Sequence, residues 1–111
     1  MVWVTVTKSF TVPAGATTTQ TIYTVTSGRK FRLKKVRFWF PTGSNSELQA
    51  VILHGVEKVV PEDGYVVGDG ERFEYDVDVE YGSEEAVKAL LTNTSATDSH
   101  TVQITLEGEE V

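Results

Sequence analysis

The stretch Lys30-Phe31-Arg32-Leu33-Lys34-Lys35-Val36-Arg37-Phe38-Trp39-Phe40 decides the fold class. Charged and apolar side chains alternate along it, and a period of two is typical of a β-strand with one buried and one wet face. The alternation slips by one residue at Lys34-Lys35, where a β-bulge would restore a continuous apolar face. With that bulge, the outward side chains are Lys30, Arg32, Lys34, Arg37 and Trp39.

A second stretch has the same period and the opposite charge. Glu71-Arg72-Phe73-Glu74-Tyr75-Asp76-Val77-Asp78-Val79-Glu80-Tyr81 places the acids Glu74, Asp76, Asp78 and Glu80 on one face. The cationic and anionic rows can face each other within one sheet as cross-strand pairs. Alternatively, they can lie on separate faces and meet between subunits. We favour the first interpretation and keep the second open.

The rest of the chain predicts further strands separated by turns rich in Gly, Pro, Asn and Asp. These strands cover residues 2–12, 17–26, 48–53, 56–60, 65–67, 85–92 and 101–106. Residues 86–91 would also fit one or two turns of helix. The pattern predicts a single all-β domain over residues 1–111, an antiparallel β-sandwich of about eight strands with a jelly-roll-like arrangement.

Bulk properties exclude several classes of function. The chain has 111 residues and no cysteine, so it forms no disulfide, thiolate nucleophile or cysteine-based zinc site. A formal net charge of −6 opposes binding to nucleic acid and to anionic membranes. No apolar run approaches the ~20 residues of a membrane span. The N-terminus lacks the pattern of a signal peptide.

Candidate catalytic residues are few. Asp98-Ser99-His100 contains the residue types of a catalytic triad, but neighbours on a strand point to opposite faces. Asp76 and Asp78 would lie roughly 6.5–7 Å apart on one strand face, near the carboxylate spacing of inverting glycosidases. A hydrolase using Glu74, Asp76 or Asp78 is therefore one hypothesis. A solvated strand face explains the same acids more simply, and we predict no enzyme activity and no cofactor.

Metal binding has weak candidates. Two acidic turns place Asp63, Asp69 and Glu71 where they could hold Ca²⁺ through carboxylate oxygens. Asp-Gly pairs are also ordinary turn chemistry, so we predict no metal site. His54 and His100 are the chain's two histidines, too few for the histidine clusters of metal-binding sandwiches.

Two tryptophans break the apolar pattern. Trp3 has the parity opposite to its valine neighbours, and Trp39 the parity opposite to Phe38 and Phe40. An exposed tryptophan is a hydrophobic anchor for another subunit or for a sugar ring, unless a loop of the same chain covers it. Stacking of nucleic acid bases is not predicted, because the other aromatics of residues 31–40 are needed in the core.

One segment resembles a known class of modules. Thr11-Val12-Pro13-Ala14-Gly15, followed by Ile22-Tyr23-Thr24-Val25-Thr26-Ser27-Gly28-Arg29-Lys30-Phe31-Arg32-Leu33-Lys34-Lys35-Val36, is similar to the opening of small β-sandwich modules in phage and archaeal-virus virion proteins. The resemblance implies a role in assembly or capsid decoration, and a virion-associated or extracellular surface location. It carries no active-site residues. Carbohydrate-binding and adhesion modules share the same turn and strand pattern.

The sequence thus predicts a non-enzymatic structural module that self-associates or docks on a larger assembly. The expected interface residues are Trp3, Trp39, Lys30, Arg32, Lys34 and Arg37. The alternative is a carbohydrate-binding module that uses Trp39 beside Arg37, or Tyr65 and Tyr75. The absence of cysteine, the single methionine and the dense strands of opposite charge also predict a thermostable domain.

Overall fold

A computed structural model describes residues 2–111 as eight β-strands without a helix. The strands are β1 (Val2–Val12), β2 (Thr17–Thr24), β3 (Phe31–Phe40), β4 (Leu48–His54), β5 (Glu57–Val60), β6 (Glu71–Tyr81), β7 (Ala86–Asn93) and β8 (His100–Glu110). Within this range no helix is long and apolar enough to span a membrane.

The strands form two four-stranded antiparallel sheets. One sheet has the order β1-β8-β3-β6 and the other the order β2-β7-β4-β5. Successive strands change sheet at every connection except the hairpin between β4 and β5. The two sheets pack face to face, with β1 against β2 along one side and β5 against β6 along the other. This is a jelly roll, and the predicted all-β antiparallel sandwich is confirmed.

The core lies between the sheets and follows the period of two. Val87, Ala89 and Leu91 on β7 are fully buried, as the sequence predicts for a strand rather than for helical turns. On the facing sheet, β8 contributes Ile104 and Leu106, and the largest buried rings come from β3 and the end of β6. Alternation therefore determines which side chains enter the core.

The bulge predicted in β3 is present. The register of β3 shifts between Leu33 and Lys35 against both β6 and β8. The extra residue lets Leu33 and Val36 both point into the core, although they have opposite parity, and both are fully buried. The bulge therefore leaves the two neighbouring lysines, Lys34 and Lys35, on the outside of the sheet.

Three strand predictions were wrong in their bounds. Residues 65–67 do not form a strand, because Val66 makes only an isolated bridge to Ala50. β2 ends at Thr24, two residues early, and β8 continues to Glu110, four residues beyond its predicted end. The longer β8 passes through Gly108, where a Cβ atom would lie 2.2 Å from the carbonyl oxygen of Arg32. Glycine is thus the residue that lets β8 approach β3 so closely.

Candidate functional site

The outer face of the sheet β1-β8-β3-β6 collects most of the residues singled out by the sequence. β3, which carries the cations, lies between β6 and β8. Its first partners come from β6: Lys34 Nζ lies 2.9 Å from Asp78 Oδ1, and Arg37 Nε lies 2.9 Å from Glu74 Oε2. The two rows of charge therefore meet within one sheet, as the favoured interpretation had it.

The remaining pairs extend this charged ladder over the length of β3. Lys35 Nζ lies 3.1 Å from Glu74 and 3.7 Å from Asp76. Glu80 forms ion pairs with two cations: its Oε1 lies 3.5 Å from Arg32 Nε, and its Oε2 lies 4.0 Å from Lys30 Nζ. We use "charged ladder" for Lys30, Arg32, Lys34, Lys35 and Arg37 together with Glu74, Asp76, Asp78, Glu80 and Glu107.

Sequence reasoning missed two members of the charged ladder, Lys35 and Glu107. Lys35 was assigned to the slip in alternation and not to the outer face, yet the bulge turns it outward beside Lys34. Glu107 lay beyond the predicted end of β8, although its parity continues that of the outward side chains of the strand. Arg37 Nη2 contacts Glu107 Oε2 at 2.8 Å.

The electrostatics of the charged ladder oppose acid catalysis. Hydrogen bonds from Arg37 and then from Lys35 hold the pKa of Glu74 below its usual range. The hydrogen bond from Lys34 likewise lowers the pKa of Asp78. A general acid needs the opposite shift, a pKa raised by burial, and the side chain of Asp78 is 79% exposed. The hydrolase hypothesis therefore receives no support from these carboxylates.

Trp39 lies in a groove on the same outer face. The groove has a volume of about 390 Å³, and its walls include Arg37, Arg72, Gln103 and Thr105. Register places Trp39 between Gln103 on β8 and Arg72 on β6. The guanidinium carbon of Arg72 lies 5.0 Å from the centroid of the indole, so the cation stacks on one face of the ring. Trp39 is consequently half-buried rather than fully exposed.

Trp3 lies at the other end of the sheet. It is opposite Glu109 on β8, whereas the cross-strand row of Trp39 reaches Ser9 on β1. Six residues of extended strand separate these rows, or roughly 20 Å. Trp3 is 54% exposed and sits on an edge strand. The structure therefore does not bring the two tryptophans together into one platform.

The other candidate residues are scattered. The carboxylate of Asp69 accepts a hydrogen bond of 2.7 Å from the backbone N–H of Gly43, which is turn chemistry. Asp63, Asp69 and Glu71 do not gather into a ligand set, and no cluster of three metal-ligating side chains occurs in residues 2–111. Tyr65 is exposed in the loop after β5, while Tyr75 packs against Phe38 on the core side. The proposed Tyr65 and Tyr75 sugar platform is therefore not formed.

The two histidines have structural partners. His100 is buried at the start of β8, with Nε2 3.0 Å from Glu47 Oε1, whereas Ser99 is exposed in the loop before this strand. His54 Nε2 lies 3.1 Å from Glu85 Oε2, and its ring centroid is 4.3 Å from that of Tyr81. Burial raises the pKa of the Tyr81 hydroxyl, which donates to the carbonyl of Leu53. The two histidine contacts hold the loops that carry Glu47 and Glu85 against β8 and β4.

Comparison with known proteins identifies the fold at the level of structure. No protein-family model and no curated protein matches the sequence. A chain of Sulfolobus turreted icosahedral virus matches with 20% identity and a TM-score of 0.60 over 98% of this chain and 29% of its own. A chain from the capsid of Helicobacter pylori bacteriophage KHP30 matches with 15% identity and a TM-score of 0.60 over 100% of this chain and 94% of its own.

A third match is a triple jelly-roll protein of an archaeal virus, with 18% identity and a TM-score of 0.58 over 98% of this chain and 29% of its own. The chain thus spans less than a third of the two archaeal-virus chains, and nearly the full length of the KHP30 chain. Its resemblance to the jelly rolls of viral capsid proteins, expected from the segment at residues 11–36, is confirmed. At these identities the likeness concerns the fold alone.

Proposed function

We propose that this protein is a non-enzymatic structural module that self-associates or docks on a larger assembly, such as a virion. The observation that carries the proposal is the match over the full chain to a jelly roll from the KHP30 capsid, which itself consists of little more than this fold. The eight strands of residues 2–111 form the same sandwich, which supports a role in which this fold itself makes the contacts.

The physical properties of the outer face support an assembly role. The face carries six cations, the five of the charged ladder and Arg72, together with the six acids Glu74, Asp76, Asp78, Glu80, Glu107 and Glu109. Because these charges compensate one another locally, the face does not present one sign of charge to a polyanion such as nucleic acid. Patterned charges of both signs fix the register of a protein partner and reject wrong partners.

The location at a virion or surface layer follows from the same proposal, as does the assignment of Trp3, Trp39 and the cations of β3 to an interface. The test is the oligomeric state, measured by size-exclusion chromatography with light scattering over a range of protein concentrations. We expect a mass of at least twice the 12.2 kDa of one chain. A monomer at the highest concentration, with no partner found, would contradict the proposal.

The groove beside Trp39 favours carbohydrate binding as a second candidate function. It combines an indole with hydrogen-bonding side chains from Arg37, Gln103 and Thr105, the groups that recognise sugar hydroxyls. A single ring with Arg72 on one face offers less stacking surface than two coplanar rings would. Titration of tryptophan fluorescence with polysaccharides tests this function, with Trp39→Phe as the control that removes the signal of the groove. No fluorescence change and no hit on a glycan array would remove this candidate.

A further inference from the structure

The first strand is an unprotected edge. β1 pairs with β8 along all of Val2–Val12 without a register shift, and no other strand within residues 2–111 pairs with its other side. An extended strand leaves the N–H and C=O groups of alternate residues without partners along such an edge. Proteins usually blunt long edges with charges, proline or bulges. β1 has no proline and no bulge, and its single charge is Lys8, on the core-facing side opposite Ile104, so most of its edge can accept another strand.

Charge separates this side of the molecule from the opposite side. The chain has 10 Lys and Arg and 16 Asp and Glu, yet Lys8 is the one charged residue between positions 2 and 28. β1 and β2, which lie within that range, form one side of the sandwich. The other edge of the same sheet is β6, whose outer face carries four of the acids in the charged ladder. The two edges of one sheet therefore differ in their capacity to pair with a second molecule.

Apolar side chains remain open along β1. Val4, Val6 and Phe10 point toward the core but are only partly buried. Val2 is 55% exposed and Trp3 is 54% exposed, whereas Val12 at the other end of the strand is fully buried. A strand docked beside β1 would remove this apolar surface from water, and its burial would favour association. Edge hydrogen bonds alone contribute less, because they replace hydrogen bonds to water.

We infer that β1 pairs antiparallel with β1 of a second copy of this chain, so that two four-stranded sheets join into one of eight strands. The inference rests on the proposed self-association and names the surface that carries it. Identical strands that pair around a twofold axis give a closed dimer. Pairing of β6 with β6 would instead set four acids against four acids, which is destabilising.

The length and the charge of β1 define the register. Pairing centred on Thr7 lets all residues of Val2–Val12 find a partner, since Thr7 is the midpoint of the strand. In this register Lys8 lies opposite Val6 of the second copy and not opposite its own symmetry mate. Trp3 lies opposite Thr11, and Thr5 opposite Ser9. Trp3, Thr5, Ser9 and Thr11 are on the outer face, where their contacts need no rearrangement of the core, whereas Val6 and Lys8 share the core-facing side of the strand.

Cysteine crosslinking tests the register, because the chain has no cysteine of its own. Residues directly opposite in an antiparallel pair have Cα atoms about 4.5–5.5 Å apart, within the range that a disulfide spans. Thr7→Cys should therefore form a disulfide-linked dimer under mild oxidation. Thr5→Cys alone should not, since its symmetry mate is four residues away, roughly 13 Å along the strand. A mixture of Thr5→Cys and Ser9→Cys should crosslink again.

A charge test uses matched pairs of substitutions at exposed threonine and serine positions. Thr5→Lys with Ser9→Lys places like charges opposite each other in the proposed pair, so the dimer of about twice 12.2 kDa should become a monomer. Thr17→Lys with Thr19→Lys adds the same charge to β2, whose residues 17 and 19 are also exposed, and should leave the dimer intact. Circular dichroism verifies that each variant is folded, and if the β1 pair does not fold, the crosslinking decides.

The outcomes separate this inference from the proposal on which it rests. A dimer that survives the β1 substitutions, or Thr19→Cys crosslinking where Thr7→Cys does not, overturns β1 pairing while self-association stands. Growth into filaments overturns it too, because it indicates head-to-tail pairing of β1 with β6. A wild-type protein that stays monomeric at the highest concentration overturns both β1 pairing and self-association.

Discussion

Arg37 on β3 binds Glu107 on β8, with 2.8 Å between Nη2 and Oε2, while its Nε donates to Glu74 on β6 at 2.9 Å. One guanidinium therefore joins three neighbouring strands. Glu107 is the less exposed of the two carboxylates, since its side chain is 17% exposed and that of Glu74 is 51% exposed. A cation that bridges two acids forms a small network of charges, and such a network contributes more to stability than an isolated surface ion pair, because loss of the cation leaves two like charges close together.

Replacement of Arg37 should make stability depend on salt. The charge pattern predicts a thermostable domain, which would melt above the about 45–65 °C of ordinary mesophile domains. We expect Arg37→Gln to lower the melting temperature by a few degrees, and to lower it further at low ionic strength, where repulsion between Glu74 and Glu107 is less screened. Thermal melts at two salt concentrations measure both effects.

The matched control for this variant is Lys88→Gln. Lys88 is exposed on β7 and has no ion-pair partner in residues 2–111. Lys88→Gln removes the same charge from a chain of net charge −6 without removing any ion pair of the charged ladder. If both variants melt alike at both salt concentrations, the charged ladder is an ordinary solvated surface.

Acid should destabilise the protein through its paired carboxylates. The pKa values of Glu74, Asp78, Glu85 and Glu110 are all lowered from usual values of 4.5 for Glu and 3.8 for Asp, chiefly by hydrogen bonds from Arg37, Lys34, the Gly82 N–H and Tyr23 respectively. A carboxylate with a lowered folded pKa contributes stability that is present above its unfolded pKa. That stability is lost as the pH falls through the folded pKa. The loss should therefore be concentrated below about pH 4.5.

Chemical denaturation at pH 7, 5, 4 and 3 measures this dependence. Glu74→Gln removes one of the groups, so its stability should fall less steeply below pH 4.5 than that of the parent. Glu84→Gln removes an acid that has no ion-pair partner in residues 2–111, and should keep the slope of the parent. Identical slopes for all three proteins would show that the Glu74 ion pairs contribute nothing to folding.

The sequence predicted the fold wherever alternation decided it. The slip between Leu33 and Val36 located the bulge, because a buried face has to remain continuous across it. By contrast, the predicted last strand ended at residue 106, short of the observed end of β8, and the residues that follow, Gly108 and three acids, have low strand propensity. Their pairing with β3 supplies what local propensity lacks: Glu107 meets Arg37, and the missing side chain at 108 makes room for the β3 backbone.

The candidate site was predictable residue by residue, but its assembly was not. The positions of Trp3 and Trp39 in the alternating pattern were enough to predict that both side chains point outward. The distance between them, and the stacking of Arg72 on Trp39, depend on the register of β3 between β6 and β8. That register is set by contacts between strands far apart in sequence, and no local pattern contains it.

Gly108 should tolerate no side chain. A Cβ atom there would lie 2.2 Å from the carbonyl oxygen of Arg32 and 2.8 Å from the ring of Phe31, which is fully buried. Because backbone and a packed ring must both move, we expect Gly108→Ala to destabilise the protein by about 1–3 kcal/mol. Gly82→Ala is the control: its Cβ would meet only the flexible carboxylate of Glu85. Equal denaturation midpoints for the two variants would contradict this account of β8.

Asn93 is the buried polar residue on which the loop end of the sandwich depends. Its Nδ2 donates to the carbonyls of Val12 at 3.0 Å and Asp98 at 2.9 Å, and its Oδ1 accepts from the N–H of Ser95 at 2.9 Å. It thereby connects the ends of β1 and β7 with the β7–β8 loop, at 1% exposure. The sequence indicated only a turn at this position.

Asn93→Ala should destabilise the protein by about 2–4 kcal/mol, because it leaves several buried backbone groups without partners. Asn93→Asp keeps the acceptor for Ser95 but sets a carboxylate against two carbonyl oxygens, so it should not restore the parent stability at neutral pH. Thr97→Ala, at an exposed position in the same loop, should change the free energy of unfolding by less than about 0.5 kcal/mol. Urea denaturation of the three variants measures these differences. Parent-like stability of Asn93→Asp would mean that the donors of Asn93 are not needed, and that the loop is held in place by its remaining contacts.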